Sequence, residues 1–294
     1  MRIAVFTKNR SNPAYEAARM GADRAARLLG AETLHFVPEK DDDPDEQVAL
    51  IDRAIGLPPD AIVLTPVHPV KVDAALARIN ASGIPLCGFV NPMPQADCIS
   101  YAGSDDHALG TAIAQHLYAH LGGRGRVLLV SGHVESVTSI ARLRAFHDAA
   151  KAQPGIAIAG TCVGDYQRGK ARDSVAAWLR GNDAPDAVLC ANDIMAIGVI
   201  DALRDAGKAA LVAGVNAIPE AIEAIKRGDM LATADFNAMR MAYLATECAI
   251  RHLRGEAVPK VIELPVEIVH AGNCRQWDLP YDQRPIPPLK ETLG

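Results

Sequence analysis

Short apolar runs alternate with longer segments in which apolar positions recur every three or four residues. This alternation organises the chain from residue 3 to residue 227. The runs 3–7, 33–37, 61–65 and 84–89 predict strands. Between them, helices are predicted over 14–28, over a segment carrying Val48, Ile51 and Ile55, and over 72–79. Gly30 stands just past the first helix, where a helix stop is expected. The pattern then begins again. Helices are predicted over 107–121, 139–151 and 170–179, and strands over 126–131, 156–163 and 187–191. Ile194, Ile197, Ile200 and Leu203 mark the next helix, with Gly207 as its stop, and a strand over 210–215 and a helix over 219–227 follow. Strands of continuous apolar character are buried on both faces, as in a parallel doubly wound sheet. The expected fold class is therefore α/β, in tandem units that change over near 103–106. No Gly/Ser-rich linker separates the units, so short connections are expected.

In open α/β sheets, ligands bind at the carboxyl ends of the strands. Asn192 and Asp193 fall on such an edge, at the turn from the 187–191 strand into its helix. Asn192 offers an amide that both donates and accepts, and Asp193 offers acceptors. The plain alternative is that both residues only cap the helix, since such residues are strongly preferred there.

Composition narrows the function classes. The chain has 294 residues, 49% hydrophobic but only 4% aromatic, so the core is built mostly from Ala, Val, Ile and Leu. The net charge is −5 with no basic block, which argues against a nucleic-acid surface. No apolar run approaches the ~20 residues of a membrane helix. The six cysteines show no CxxC spacing and several lie inside apolar patterns, as small hydrophobes do. The sequence opens on a strand, with no signal-peptide apolar region; it is either cytoplasmic or a mature form. Gly122-Gly123-Arg124-Gly125 follows a helix and precedes a strand, the wrong order for a dinucleotide fingerprint. His116 and His120 lie one helical turn apart, but Leu117 stands where a zincin has glutamate, and no third ligand accompanies them. Ser131-Gly132-His133 lacks the flanking glycine of a nucleophile elbow. No catalytic constellation, cofactor or metal is expected, and an enzyme is the disfavoured class.

Five stretches, in order and spacing, resemble the ribose-type sugar-binding branch of the type I periplasmic binding proteins. They are Asn12-Pro13, Gly103-Ser104-Asp105-Asp106 with Leu109-Gly110, Arg142-Leu143-Arg144-Ala145-Phe146, Ala191-Asn192-Asp193-Ile194-Met195-Ala196-Ile197-Gly198, and Leu231-Ala232-Thr233-Ala234. The resemblance covers about residues 3–270. It implies two doubly wound parallel-sheet lobes joined by three crossover segments, with ligand in the cleft between them. Lobe one would hold 1–103 and 236–264, and lobe two 104–235 and 265–294. The tail from Cys274 lies outside the family core and is expected to be a surface extension. The function implied is the solute-binding component of a bacterial ABC sugar importer: a periplasmic monomer that closes by hinge motion on a small sugar or polyol and delivers it to the membrane permease. The alternative class is a ligand-sensing effector domain of a regulator or receptor. A full-length repressor of this kind would carry a helix-turn-helix before the first strand, which here begins at residue 3.

Position by position, the resemblance implies that Asn12 makes a polar ligand contact and that Tyr15 and Tyr166 stack on the sugar. It implies that Arg142 heads a pattern with Ala145 where the family has Gly. It further implies that Asn192 and Asn216 bind ligand and that Asp235 or Phe236 contacts it near a hinge. An aromatic plane ringed by polar groups suits the apolar C–H face of a sugar. Two departures stand out. Val90-Asn91 replaces the family's Asp-Arg pair, and Asn216 replaces an acid, whereas Lys8 and Arg142 remain. A site that has lost carboxylates leaves Arg142 only partly neutralised, unless Asp193, Asp235 or Asp105 pairs with it. The ligand is then a neutral sugar or polyol other than ribose, or a sugar acid.

Overall fold

A computed structural model describes residues 1–293. The chain divides into two compact units. The first holds Met1–Ser104, Asn237–Leu264 and the residues from Tyr281 on; the second holds Asp105–Phe236 and Pro265–Pro280.

In the first unit, β1 (Arg2–Phe6), α1 (Pro13–Leu28), β2 (Glu32–Phe36), α2 (Pro44–Gly56), β3 (Ala61–Leu64), α3 (Asp73–Ala81), β4 (Leu86–Phe89) and β5 (Ser100–Gly103) follow one another. The second unit runs α4 (Asp106–His120), β6 (Gly125–Ser131), α5 (Val137–Lys151), β7 (Ile156–Val163), α6 (Arg168–Leu179), β8 (Ala187–Cys190), α7 (Asp193–Asp205), β9 (Leu211–Val215), α8 (Pro219–Arg227) and β10 (Ala232–Asp235). The chain returns to the first unit with α9 (Ala238–Leu253) and β11 (Val261–Glu263). It adds β12 (Glu267–His270) to the second and ends on α10 (Leu289–Leu293).

Each sheet has six strands, in the orders β11-β5-β4-β3-β1-β2 and β12-β10-β9-β8-β6-β7. The first is parallel throughout; in the second, β12 runs antiparallel to β10. From β1 the chain winds to β2 on one side and β3 on the other, and from β6 it winds to β7 and β8 in the same way. These reversals open a crevice at the carboxyl ends of β1 and β3, and of β6 and β8. Thr7, Lys8 and Thr65 emerge at the first, and Ser131, Gly132, Ala191 and Asn192 at the second.

The central strands β1, β3, β4 and β8 are almost wholly buried, as continuous apolar runs require. The edge strands β2 and β7 are mostly half-buried or exposed, so the reading of all strands as buried on both faces does not extend to them. β5, β10 and β12 lack a long apolar run and were not predicted as strands. All six cysteines are free thiols.

α9 is buried along most of its length and packs on α1. Gly21 makes that approach possible, because a Cβ there would lie 2.1 Å from the Met239 carbonyl oxygen. Gly21→Ala is therefore expected to destabilise the protein by about 1–3 kcal/mol, outweighing its helix-propensity gain of about 1 kcal/mol. Gly169→Ala, where nothing lies within 4 Å of the new methyl, is the control and should be neutral or slightly stabilising in urea melts. Equal effects from the two would refute the close-approach explanation.

The tail corrects two expectations. It is not a surface extension: Trp277 is 6% exposed, and Cys274, Ile286 and Leu289 are buried as well. Nor does 265–294 stay with one unit. Trp277 Nε1 donates to Asp235 Oδ2 at 2.7 Å in the second unit. The Leu289 amide donates to Glu247 Oε2 at 2.9 Å and Arg24 to the Arg284 carbonyl at 2.8 Å in the first. The chain thus makes the three expected passages between units and then a fourth after Pro280. The physical reason is that Trp277, Ile286 and Leu289 supply apolar surface that each unit buries.

Candidate functional site

Four of the expected contacts belong to the first unit. Lys8, Asn12 and Tyr15 sit on the loop after β1 and the first turn of α1, and all are buried. Lys8 Nζ lies 3.5 Å from Asp42 Oδ1. Asn12 caps α1, its Oδ1 accepting from the Ala14 amide at 3.0 Å, and its backbone N–H donates to Asn9 Oδ1. Asn91 follows β4 and is 3% exposed. Its Nδ2 donates to the Pro66 carbonyl at 2.9 Å, and because a carbonyl only accepts, the amide orientation is fixed. Asn91 Oδ1 is left buried with no hydrogen-bond partner among the described residues. Val90, just before it, has φ 61°, a strained conformation for a β-branched residue that often marks functional loops. Thr65, at the end of β3, is fully buried, and its Oγ1 likewise has no partner among the described residues. Gln47 clasps this loop, donating to the Thr65 carbonyl and accepting from the Val67 amide.

Six expected contacts belong to the second unit. Asn192 is 1% exposed and caps α7: its Oδ1 accepts from the Met195 amide at 3.0 Å. The capping reading therefore holds for Asn192 but not for Asp193, whose carboxyl accepts from Thr233 Oγ1 and the Ile218 amide. With its Oδ1 committed, Asn192 Nδ2 is a fixed donor, buried with no partner among the described residues. Arg142, on α5 and 4% exposed, sends Nε and Nη2 to Asp106 Oδ1 at 2.8 and 2.7 Å and Nη1 to the Ala191 carbonyl at 2.8 Å. Its guanidinium lies over the Phe236 ring, 5.4 Å from the centroid.

This arrangement gives Arg142 a partner that the sequence reading did not name, Asp106. Asp105 instead caps α4 through the His107 and Ala108 amides. Asp235 accepts from Trp277, and Asp193 from Thr233 and the Ile218 amide. The partial-neutralisation argument fails with it, because Asp106 meets the guanidinium charge within the protein.

Tyr166 is half-buried with φ 60°, and its hydroxyl shares a 2.8 Å hydrogen bond with Thr138 Oγ1. Its ring lies on Gly132 so closely that a Cβ there would come within 2.2 Å of it. Asn216 and Asp235 end the paired strands β9 and β10, and the Asn216 amide donates to the Ala234 carbonyl at 2.8 Å. Asn216 Oδ1 is buried with no partner among the described residues. Thr65, Asp106, Asp193, Thr233 and Trp277 were not assigned from the sequence as site residues. A polar residue closing a predicted strand, as Thr65 closes the 61–65 run, was the available signal for one of them.

Among the described residues, no three His, Cys, Asp or Glu side chains converge as metal ligands, and no helix is long and apolar enough to cross a membrane. His116 stacks on His270, with ring centroids 5.5 Å apart.

Residues 3–257 match the family model of the periplasmic binding protein domain. The chain belongs to the periplasmic binding protein family. This binding protein is 28% identical over 272 residues to a putative rhizopine-binding protein of Rhizobium meliloti, covering 88% of its own chain and 86% of the relative. It is 29% identical over 245 residues to the D-allose-binding periplasmic protein of Escherichia coli, covering 80% and 78%. An ABC transporter periplasmic solute binding protein from Actinobacillus succinogenes, solved with bound D-allose, superposes with a TM-score of 0.87 at 26% identity, covering 92% of this chain and 98% of that one. Relatives in this family are substrate-binding transport proteins rather than enzymes.

Proposed function

We propose that the protein is the solute-binding component of an ABC importer for a neutral sugar or polyol, working as a monomer in the periplasm and delivering its ligand to the membrane permease. Lys8, Asn12, Tyr15 and Asn91 of the first unit, and Arg142, Tyr166, Asn192, Asn216, Asp235 and Phe236 of the second, are the proposed ligand contacts. The relatives named above support the transport role.

One observation carries the ligand class: Asn91 offers a fixed acceptor and Asn192 a fixed donor, both buried and without partners among the described residues. Hydroxyl groups both donate and accept, so a polyhydroxylated ligand answers both. A lone carboxylate only accepts and cannot satisfy Asn91 Oδ1, so the observation calls for hydroxyls, which neutral sugars, polyols and sugar acids all carry. The pairing of Arg142 with Asp106 removes the reason to prefer a sugar acid.

Asn192→Ser tests the reading. Serine keeps an oxygen to cap α7, so stability should stay within about 1 kcal/mol of wild type. The amide donor is lost, and leaving a buried ligand hydroxyl unpaired costs about 1–3 kcal/mol, or roughly five- to 150-fold in Kd. Calorimetric titration with D-allose and myo-inositol reads the affinity. Unchanged affinity in Asn192→Ser would remove Asn192 from the site and return it to capping alone.

A further inference from the structure

Asn216 stands on a turn that an isolated chain would not adopt. Asn216 has φ 123° and Ala217 φ 51°, two successive non-glycine residues on the unfavourable side of the map. Such conformations persist only where the surroundings over-determine them. Here the surroundings are two buried side chains of the same unit. Asp193, fully buried at the start of α7, accepts from the Ile218 amide at 3.1 Å through Oδ2 and from Thr233 Oγ1 at 2.7 Å through Oδ1. Thr233, fully buried on β10, in turn accepts from the Ala217 amide through the same Oγ1 at 3.2 Å. Every donor that the turn presents after Asn216 is therefore held, directly or through one hydroxyl, by the Asp193 carboxylate. The sheet is cut away to admit it: a Cβ on Gly214 would lie 2.5 Å from Asp193 Oδ1. The product of this arrangement is the Asn216 side chain, whose Oδ1 is buried with no partner among the described residues.

We infer that Asp193 and Thr233 are positioning residues that clamp the Asn216–Ala217 turn and thereby set where the Asn216 amide meets the ligand. This rests on the reading of Asn216 as a ligand contact. Asp193 does not touch ligand; it acts through the turn. It also explains why the residue after Asn192 is acidic although it has no role as a cation partner for Arg142.

The test combines exchange in the free protein with binding. Asp193→Asn and Thr233→Val are each expected to speed hydrogen exchange at the Ala217 and Ile218 amides about tenfold, as loss of a buried hydrogen bond implies. Exchange along β8 should be unchanged. Both variants should weaken binding of D-allose or myo-inositol about three- to tenfold by calorimetry, and Thr233→Ser, which keeps the hydroxyl, should restore both readouts. In an Asn216→Ala background the binding penalty of Thr233→Val should vanish, which a merely structural residue would not show. Unchanged exchange at Ala217 and Ile218, or an equal penalty with and without Asn216, overturns the proposal. Should the wild type bind neither probe, the exchange measurement still decides whether Asp193 and Thr233 hold the turn. Thr233→Val carries the test if Asp193→Asn does not fold.

Discussion

Asp106→Ala is expected to lower the unfolding free energy by about 3–5 kcal/mol, the usual result of breaking a buried ion pair on one side. Arg142 is 4% exposed on its side chain and Asp106 17%, so the guanidinium left behind has little water to replace its partner. The Ala191 carbonyl and the Phe236 ring still face it, but neither carries a countercharge. Adding Arg142→Met in the same chain should recover a large part of the loss, since an apolar side chain of similar length needs no partner. Urea melts of the wild type, both single variants and the double variant complete the cycle. An Asp106→Ala protein within 1 kcal/mol of wild type would show that the pair does not neutralise Arg142.

Asp193→Asn is expected to change how stability depends on pH. Burial pushes the Asp193 carboxyl up from 3.8 to about 7; Asp235 adds to the shift, while hydrogen bonds from Thr233 and Ile218 oppose it. Between those values the folded protein holds a proton that the unfolded chain has released. Stability contributed by this group therefore falls as pH rises from about 4 to about 7, and is level on either side. A shift of this size sets a ceiling of about 4 kcal/mol. Asparagine does not titrate. The difference in unfolding free energy, wild type minus variant, should therefore be more favourable to the wild type at pH 4.5 than at pH 8, by up to that ceiling. The other titrating groups are common to both proteins and cancel in the difference. A difference that stays constant across this window would mean that Asp193 is ionised throughout.

The fold was legible where helix and strand periodicities are strong. Central strands such as β3 and β8 are unbroken apolar runs because helices cover both their faces, and burial leaves that mark on the sequence. Ser100-Tyr101-Ala102-Gly103 is a strand because β4 and β11 flank it, not because of any pattern of its own. The tail was misread for a related reason: its apolar residues are scattered among Pro, Arg and Asp, and only tertiary contacts show that Trp277 and Leu289 are buried.

Of the proposed contacts, Asn192 stood out in the sequence as a polar residue at the carboxyl end of a buried strand, and Asn91 only through the resemblance, where it replaces part of the family's Asp-Arg pair. The direction in which each amide points was not legible, since it depends on the Met195 amide in one case and the Pro66 carbonyl in the other. The partner of Arg142 was not legible either. Asp106 lies 36 residues away, and Asp105 beside it is equally acidic but serves as a cap.

A thermal-shift screen of the full chain against D-ribose, D-allose, D-glucose, myo-inositol and glycerol, with gluconate and galacturonate as the acidic counterparts, tests the central claim most directly. A ligand that binds only the folded state at a hundred times its Kd adds about 2.7 kcal/mol of stability, enough to raise Tm by several degrees. The expected result is a rise with at least one neutral sugar or polyol and none with the acids. A rise with the acids alone, or no response to any of these compounds alongside a clear response to amino acids or purines, would contradict the reading of this protein as a neutral sugar or polyol receptor.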